Sequence, residues 1–264
     1  MENCRMKKII LALGFLVIGG AALAAAVNQM TDEQETYSWR YKITVSIETP
    51  EGVKTGSAVR QIDIVKKLIL ATTVTDPKTN KPKEKKHYTF NPWVTGEAVV
   101  VDLGEHGTVF TLVDWSDYRD TLIAFDEKDY RNAAALPLGS KAELTNRLPK
   151  IVTFLDMNNP MTIRLVKGHE FDVKNQKQVP VDNFEEIFGK DVFLKNITIE
   201  IVNEPVTFQI EKLLPWLDGL KGGNIDGSKI TTSNDLSNAL HSGHFKIFSK
   251  EKNLKRHFRK GKEK

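Results

Sequence analysis

Cysteine is almost missing. Cys4 is the only one in the chain, and it stands ahead of an uncharged run from Ile9 to Val27. Past that run no disulfide can brace the fold, and no thiolate can act as nucleophile or zinc ligand. Cys4 also lies on the wrong side of the run to be a lipoprotein's acylated cysteine, which would directly follow the apolar stretch. Catalytic signatures are equally scarce. Neither Gly-x-Ser-x-Gly nor His-Glu-x-x-His occurs, which removes nucleophile-elbow hydrolases and the commonest zinc peptidases. A basic body is missing too. The formal charge is +4, but residues from Lys250 to Lys264 carry a net +6 and the segment before the run carries +2, which leaves −4 for residues 28–249. A mildly acidic body with a basic tail is not a nucleic-acid-binding domain.

What is present begins with the run itself, IILALGFLVIGGAALAAAV. Arg5, Lys7 and Lys8 precede it, and Asp32, Glu33 and Glu35 follow it. Positive charge resists translocation, so the N-terminus is expected inside and the remainder exported. Two readings stay open. In a signal peptide, Ala22-Leu23-Ala24 supplies the small residues for cleavage before Ala25. In an anchor, nineteen uncharged residues at about 1.5 Å each form a hydrophobic helix of roughly 28 Å, close to a bilayer's apolar thickness. Both place the chain from Asn28 onward outside the cytoplasm, in the periplasm, with the anchor form held in the inner membrane.

The expected division is a leader or anchor over 1–27, a tether over 28–37, a single β-rich exported domain over 38–249, and a basic, unstructured tail over 250–264. Hydrophobic residues at 40% and charged ones at 27% are ordinary for a globular domain, so a core can form. The expected fold class is mainly β, built of antiparallel hairpins, sandwich- or barrel-like, with a few short helices in the C-terminal third.

The clearest strand is at Trp39, Tyr41, Ile43, Val45 and Ile47, which alternate with Arg40, Lys42, Thr44, Ser46 and Glu48. Thr49-Pro50-Glu51-Gly52 spells a turn. The return strand should run from Val53 to about Leu70, with a bulge near Gly56 where the apolar phase slips. The lysine-rich stretch from Asp76 to Lys86 reads as a surface loop. A second hairpin turns at Gly104–Gly107, where Val99-Val100-Val101 suggests a strand covered on both faces. Residues 114–147 read as a long excursion with a short helix at most. Strands are expected at 150–155, 161–166 and 192–202, and a helical turn closes at Gly189. Residues 208–220 show helical spacing broken by Pro215, and Ser233 is the expected cap of a helix over 234–240.

Several stretches carry the outline of chemistry. Lys54-Thr55-Gly56 matches a triad of serine β-lactamases, yet the only Ser-x-x-Lys, at Ser249 to Lys252, lies downstream in the tail, so turn chemistry is the better reading. Gly222 to Lys229 almost spells a phosphate loop, but Ser228 and Lys229 are exchanged and a helix precedes it. His241 and His244 lack the further ligands that zinc requires and read as surface residues; no metal and no cofactor is expected. Asp114, Asp117 and Asp120 stand among Trp115 and Tyr118. Paired carboxylates beside aromatics are a glycosidase's equipment, but an exposed loop with helix-start aspartates accounts for them as well.

YKITVSIETPEGVKTGSAVRQI, GEAVVVDLGEHGTVFTLV and ITIEIVNEPVTFQIEKLLPWLDGL together resemble a family of uncharacterised exported proteobacterial proteins. The resemblance covers most of the exported chain apart from residues 114–147 and the tail. It implies a Gram-negative envelope location and no activity, so no functional residue follows from it.

Two functions remain. One is a non-enzymatic envelope protein, an interaction or structural module near the inner membrane. Trp216 and Leu217 would be its apolar contacts, and Lys255, Arg256, Arg259 and Lys260 its basic ones. Its partners would be the membrane through the run from Ile9 to Val27 if uncleaved, an anionic surface through the tail, and another envelope protein, but no nucleic acid. The alternative is a periplasmic hydrolase using carboxylates near Asp114 to Asp120.

Overall fold

The computed structural model describes residues 34–248 except 173, 221, 222 and 234. The hydrophobic run, the basic tail and the tail residues Lys255, Arg256, Arg259 and Lys260 lie outside the described residues. Among those described, no helix is long and apolar enough to cross a membrane.

The chain is mainly β, in two antiparallel sheets with a few short helices. The strands are β1 (Gln34–Thr49), β2 (Gly52–Thr75), β3 (Pro82–Glu97), β4 (Val99–Asp102), β5 (Thr108–Thr111), β6 (Lys141–Glu143), β7 (Ile151–Phe154), β8 (Ile163–Asp172), β9 (Lys177–Asp182), β10 (Phe193–Ile201) and β11 (Lys246–Ile247). One sheet has the order β11-β3-β2-β1-β10-β6, the other β4-β5-β7-β8-β9. The helices are α1 (Asp120–Ala124), α2 (Tyr130–Ala134), α3 (Phe184–Phe188) and α4 (Leu236–Ala239). Two of the four fall in the middle of the chain, so helices are not confined to the last third.

The described residues cluster into two compact units, and β1, β2 and β3 contribute to both. The smaller contains 34–37 and 64–91. Its strands begin earlier and extend further than expected: β1 starts at Gln34, inside the supposed tether, and β3 starts at Pro82, inside the supposed loop. The reason is a compact Asx turn. Asp76 Oδ1 accepts from the amides of Lys78 (2.8 Å) and Thr79 (3.3 Å), and Asp76 N donates to Lys81 O at 2.9 Å. That closes the turn early, and proline is tolerated at a strand's first residue. Lys66 donates to Glu35 Oε1 at 3.0 Å and lies 4.2 Å from the centre of the Tyr88 ring.

The larger unit contains 38–63 and 92–248. Here β1 behaves as its alternation predicts: Trp39, Tyr41, Ile43, Val45 and Ile47 are buried. Tyr41, Ile43 and Val45 lie opposite Ile201, Ile199 and Ile197 of β10, so one apolar face is shared across the pair. In β2 the apolar phase slips at three consecutive buried residues, Ala58, Val59 and Arg60. Gly56 has a different task. A Cβ there would lie 1.9 Å from Val100 O, so only glycine admits that approach.

A second apolar cluster joins Phe110, Phe154 and Phe245 with Ile210, Leu214 and Leu217. The segment expected as a helix bent or divided at Pro215 is divided there, into two 3-10 segments, Ile210–Lys212 and Pro215–Leu220. Proline at the first position of a new turn forfeits no internal bond, so Pro215 divides rather than bends. Residue 235, not Ser233, precedes α4; Asp235 makes no capping bond through its side chain, and Ser233 Oγ donates to it at 3.1 Å. The last strand of the other sheet, β9, lies along β8 with Pro180 opposite His169.

Candidate functional site

The 114–120 segment folds as reciprocal capping. Asp114 Oδ1 accepts from Ser116 N at 2.8 Å, and Asp117 Oδ2 accepts from Asp114 N at 2.8 Å, which starts the 3-10 turn Trp115–Arg119. Helix-start roles were expected of Asp117 and Asp120, but exposure was not found: both are buried. Burial is tolerable because cations come with them. Arg60, wholly buried on β2, donates through Nη1 to Asp117 Oδ2 at 2.8 Å, through Nε to Glu97 O at 3.1 Å and through Nη2 to Leu112 O at 3.2 Å. Arg147 Nη1 donates to Asp120 Oδ1 at 3.2 Å, while Asp120 Oδ2 has no hydrogen-bond partner.

Desolvation governs the protonation here. Burial raises Asp117 to about 6 in spite of Arg60. Burial, then the Asp117 charge, holds Asp120 well above the usual carboxylate range against Arg60 and Arg147. Burial and the charge of Asp120 likewise raise Tyr41. Asp114 is the exception. Burial pushes it up, but hydrogen bonds from the Ser116 hydroxyl and amide, together with His244 and Arg147, bring it below its ordinary value.

Beside this cluster lies a cavity of about 200 Å³ lined by Asp114, Asp117, Arg147, Lys150, His244 and apolar neighbours. His241 and His244 are not the surface residues expected of them. Their rings are 4.0 Å apart and partly buried, and each Nδ1 accepts a backbone amide: Gly243 N to His241 and His241 N to His244, both at 3.1 Å. An accepting Nδ1 carries no proton, so both rings are neutral with hydrogen on Nε2. Burial, then His241, lowers His244 to about 4. Burial also lowers Lys150. No group of metal-ligating side chains is found among the described residues.

The other candidates resolve locally. Lys54-Thr55-Gly56 sits on β2, where Gly56 serves close packing. The loop before α4 is knit together by Asn238, whose Oδ1 accepts from Thr232 N (2.6 Å) and Ser233 N (2.8 Å) and whose Nδ2 donates to Asp226 Oδ2 (2.7 Å) and Ser228 Oγ (2.9 Å). Gly222 lies outside the described residues. Trp216 packs edge-on against Phe154 at 5.4 Å and donates Nε1 to Met157 O at 2.9 Å; Leu217 is buried and Leu213 exposed. An open groove of about 1180 Å³ runs beside β8, with exposed Leu155, Met161 and Phe171 among Arg164, Glu170 and Glu186.

Sequence reasoning did not single out Arg60, Tyr41 or Arg147. For Arg60 a signal existed. It shares strand parity with Ala58, Ile62 and Ile64, so a charge stood on an inward face. Arg147, in an irregular segment with φ of 55°, gave none. No family model, curated protein or solved structure matches this chain.

Proposed function

We propose that this chain is a non-enzymatic cell-envelope protein, an interaction or structural module on the periplasmic side of the inner membrane. The observation that carries the reading is the state of the Asp117–Asp120 pair. Both carboxyls are buried, and one oxygen of each is held by Arg60 or Arg147, while Asp120 Oδ2 is left without a partner. A glycosidase needs two carboxyls facing a substrate across several ångströms, and the cavity beside them, at about 200 Å³, is below the usual range of ligand pockets. The groove beside β8, with apolar side chains among mixed charges, suits a protein surface better than a small substrate.

Location follows from the charges flanking the run at 9–27, and the basic tail would add an electrostatic contact to lipid. In cells, a reporter enzyme that is active only when exported should work when fused after residue 248. The full-length chain should stay with membranes through an alkaline carbonate wash. A soluble form beginning at Ala25 would remove the anchor, and an inactive reporter would remove export. Purified chain should leave chromogenic glycosides, esters and peptides untouched; turnover abolished by Asp114→Asn with melting unchanged would restore the hydrolase reading.

A further inference from the structure

We infer that the lysine-rich hairpin of the smaller unit is a docking surface for an anionic lipid bilayer. Residues 64–91 contain seven lysines against Asp76 and Glu84, a net of +5, although 28–249 as a whole carries −4. The rest of that body therefore carries −9. Cationic charge is concentrated on one β-hairpin instead of being spread over the surface. Lys67, Lys78, Lys81, Lys83 and Lys85 are all exposed. Aliphatic side chains stand beside them in water: Ile69 at 64% exposure, Leu70 at 51% and Val74 at 39%. Leu70 and Val74 share one face of β2 by strand parity.

Lysine flanking exposed aliphatics is the chemistry of an interfacial membrane contact, with ammonium groups at lipid phosphates and alkyl groups at the acyl boundary. Nucleic acid would use the lysines and stack on Phe90, which is exposed, but it has no use for the three exposed aliphatics, which an acyl boundary accepts together with the ring. Position along the chain agrees. Gln34, where the described residues begin, belongs to the same unit, with Glu35 bonded to Lys66. Only seven steps separate Val27 from Gln34, a reach of at most about 25 Å. The charge argument stands without an anchor; the proximity argument rests on the membrane location proposed above.

The test uses the full chain with Cys4→Ser and Val74→Cys, the new thiol carrying an environment-sensitive dye. Vesicles of phosphatidylcholine, with or without about one-third phosphatidylglycerol, are titrated at low and high salt, and flotation is scored separately. The emission should shift to the blue with the anionic vesicles at low salt and revert at high salt. Replacing Lys78, Lys81, Lys83 and Lys85 by Gln should raise the lipid needed by about a hundredfold or more, at roughly fivefold per lysine, while Arg at the same positions restores the response. Protein that floats with both vesicle types while the dye stays unmoved overturns the hairpin contact and leaves the anchor standing. A dye response without flotation on neutral vesicles supports the hairpin and removes the anchor. Equal shifts with neutral and anionic lipid, or a stronger response to a single-stranded oligonucleotide, overturn the proposal.

Discussion

Arg60 and Asp117 meet at 2.8 Å with the arginine side chain wholly buried and the aspartate almost so. Removing one partner of such a pair leaves a charge with neither water nor counterion, whereas removing both does not. Arg60→Met is therefore expected to destabilise by about 3–5 kcal/mol, and Arg60→Met with Asp117→Asn by clearly less than the sum of the single changes. Urea unfolding of the four proteins measures the coupling. Additive effects would mean that the two side chains do not depend on each other.

The first strand allows a test within two adjacent residues. Ile43 is fully buried and Thr44 is partly exposed on the other face. Ile43→Ala should cost about 2–5 kcal/mol and Thr44→Ala well under about 1 kcal/mol. Equal losses in thermal melts would mean that both faces are equally packed.

Two glycines of β2 should respond differently to alanine. At Gly52, φ is 108° with nothing within 4 Å of an added Cβ, so Gly52→Ala carries only a backbone penalty, roughly 1 kcal/mol or somewhat more. At Gly56 the added carbon would meet a main-chain oxygen that cannot rotate away. Gly56→Ala should lower the melting temperature by far more than Gly52→Ala. The reverse order would refute the close approach of β2 to Val100.

Two groups of the candidate site pull stability in opposite directions with pH. His244 has a folded value of about 4, below its ordinary 6.5. The unfolded chain therefore takes up that proton first, and stability falls as pH drops through this window, by something on the order of 3 kcal/mol. Asp117, raised to about 6 from 3.8, binds its proton first in the folded chain and gains stability over much the same window. His244→Asn keeps an acceptor for the His241 amide and should melt with less acid sensitivity than wild type between pH 7 and 5. Asp117→Asn should melt with more. Parallel shifts in both variants would contradict these assignments.

Period-two patterning identified the strands of the larger unit wherever one face is apolar, as at residues 39–47 and 197–201. It failed at β3 and β9, where few apolar residues alternate and a proline, Pro92 or Pro180, interrupts them, so that pairing there is set by turn chemistry and main-chain bonds. It also failed at the 3-10 segments on either side of residue 214, since helical spacing of leucines does not tell one kind of helix from another. The candidate site was half legible. The acidic residues cluster in sequence, but their cations arrive from positions 60 and 147, and only folding joins them.

The pairing of Tyr41 with Ile201 has a consequence for the order of assembly. The turn at Pro50 and Glu51 lets β1 find β2 early, since that contact is local. The other edge of β1 must wait for a strand that follows about 160 positions later, and closing so distant a contact is slow. During emergence of the chain, the main-chain donors and acceptors of β1 stand open, which is the condition for mispairing with another copy. The vulnerable moment of this protein is therefore its biogenesis, and a chaperone that shields residues 38–49 would matter most before residue 201 has appeared.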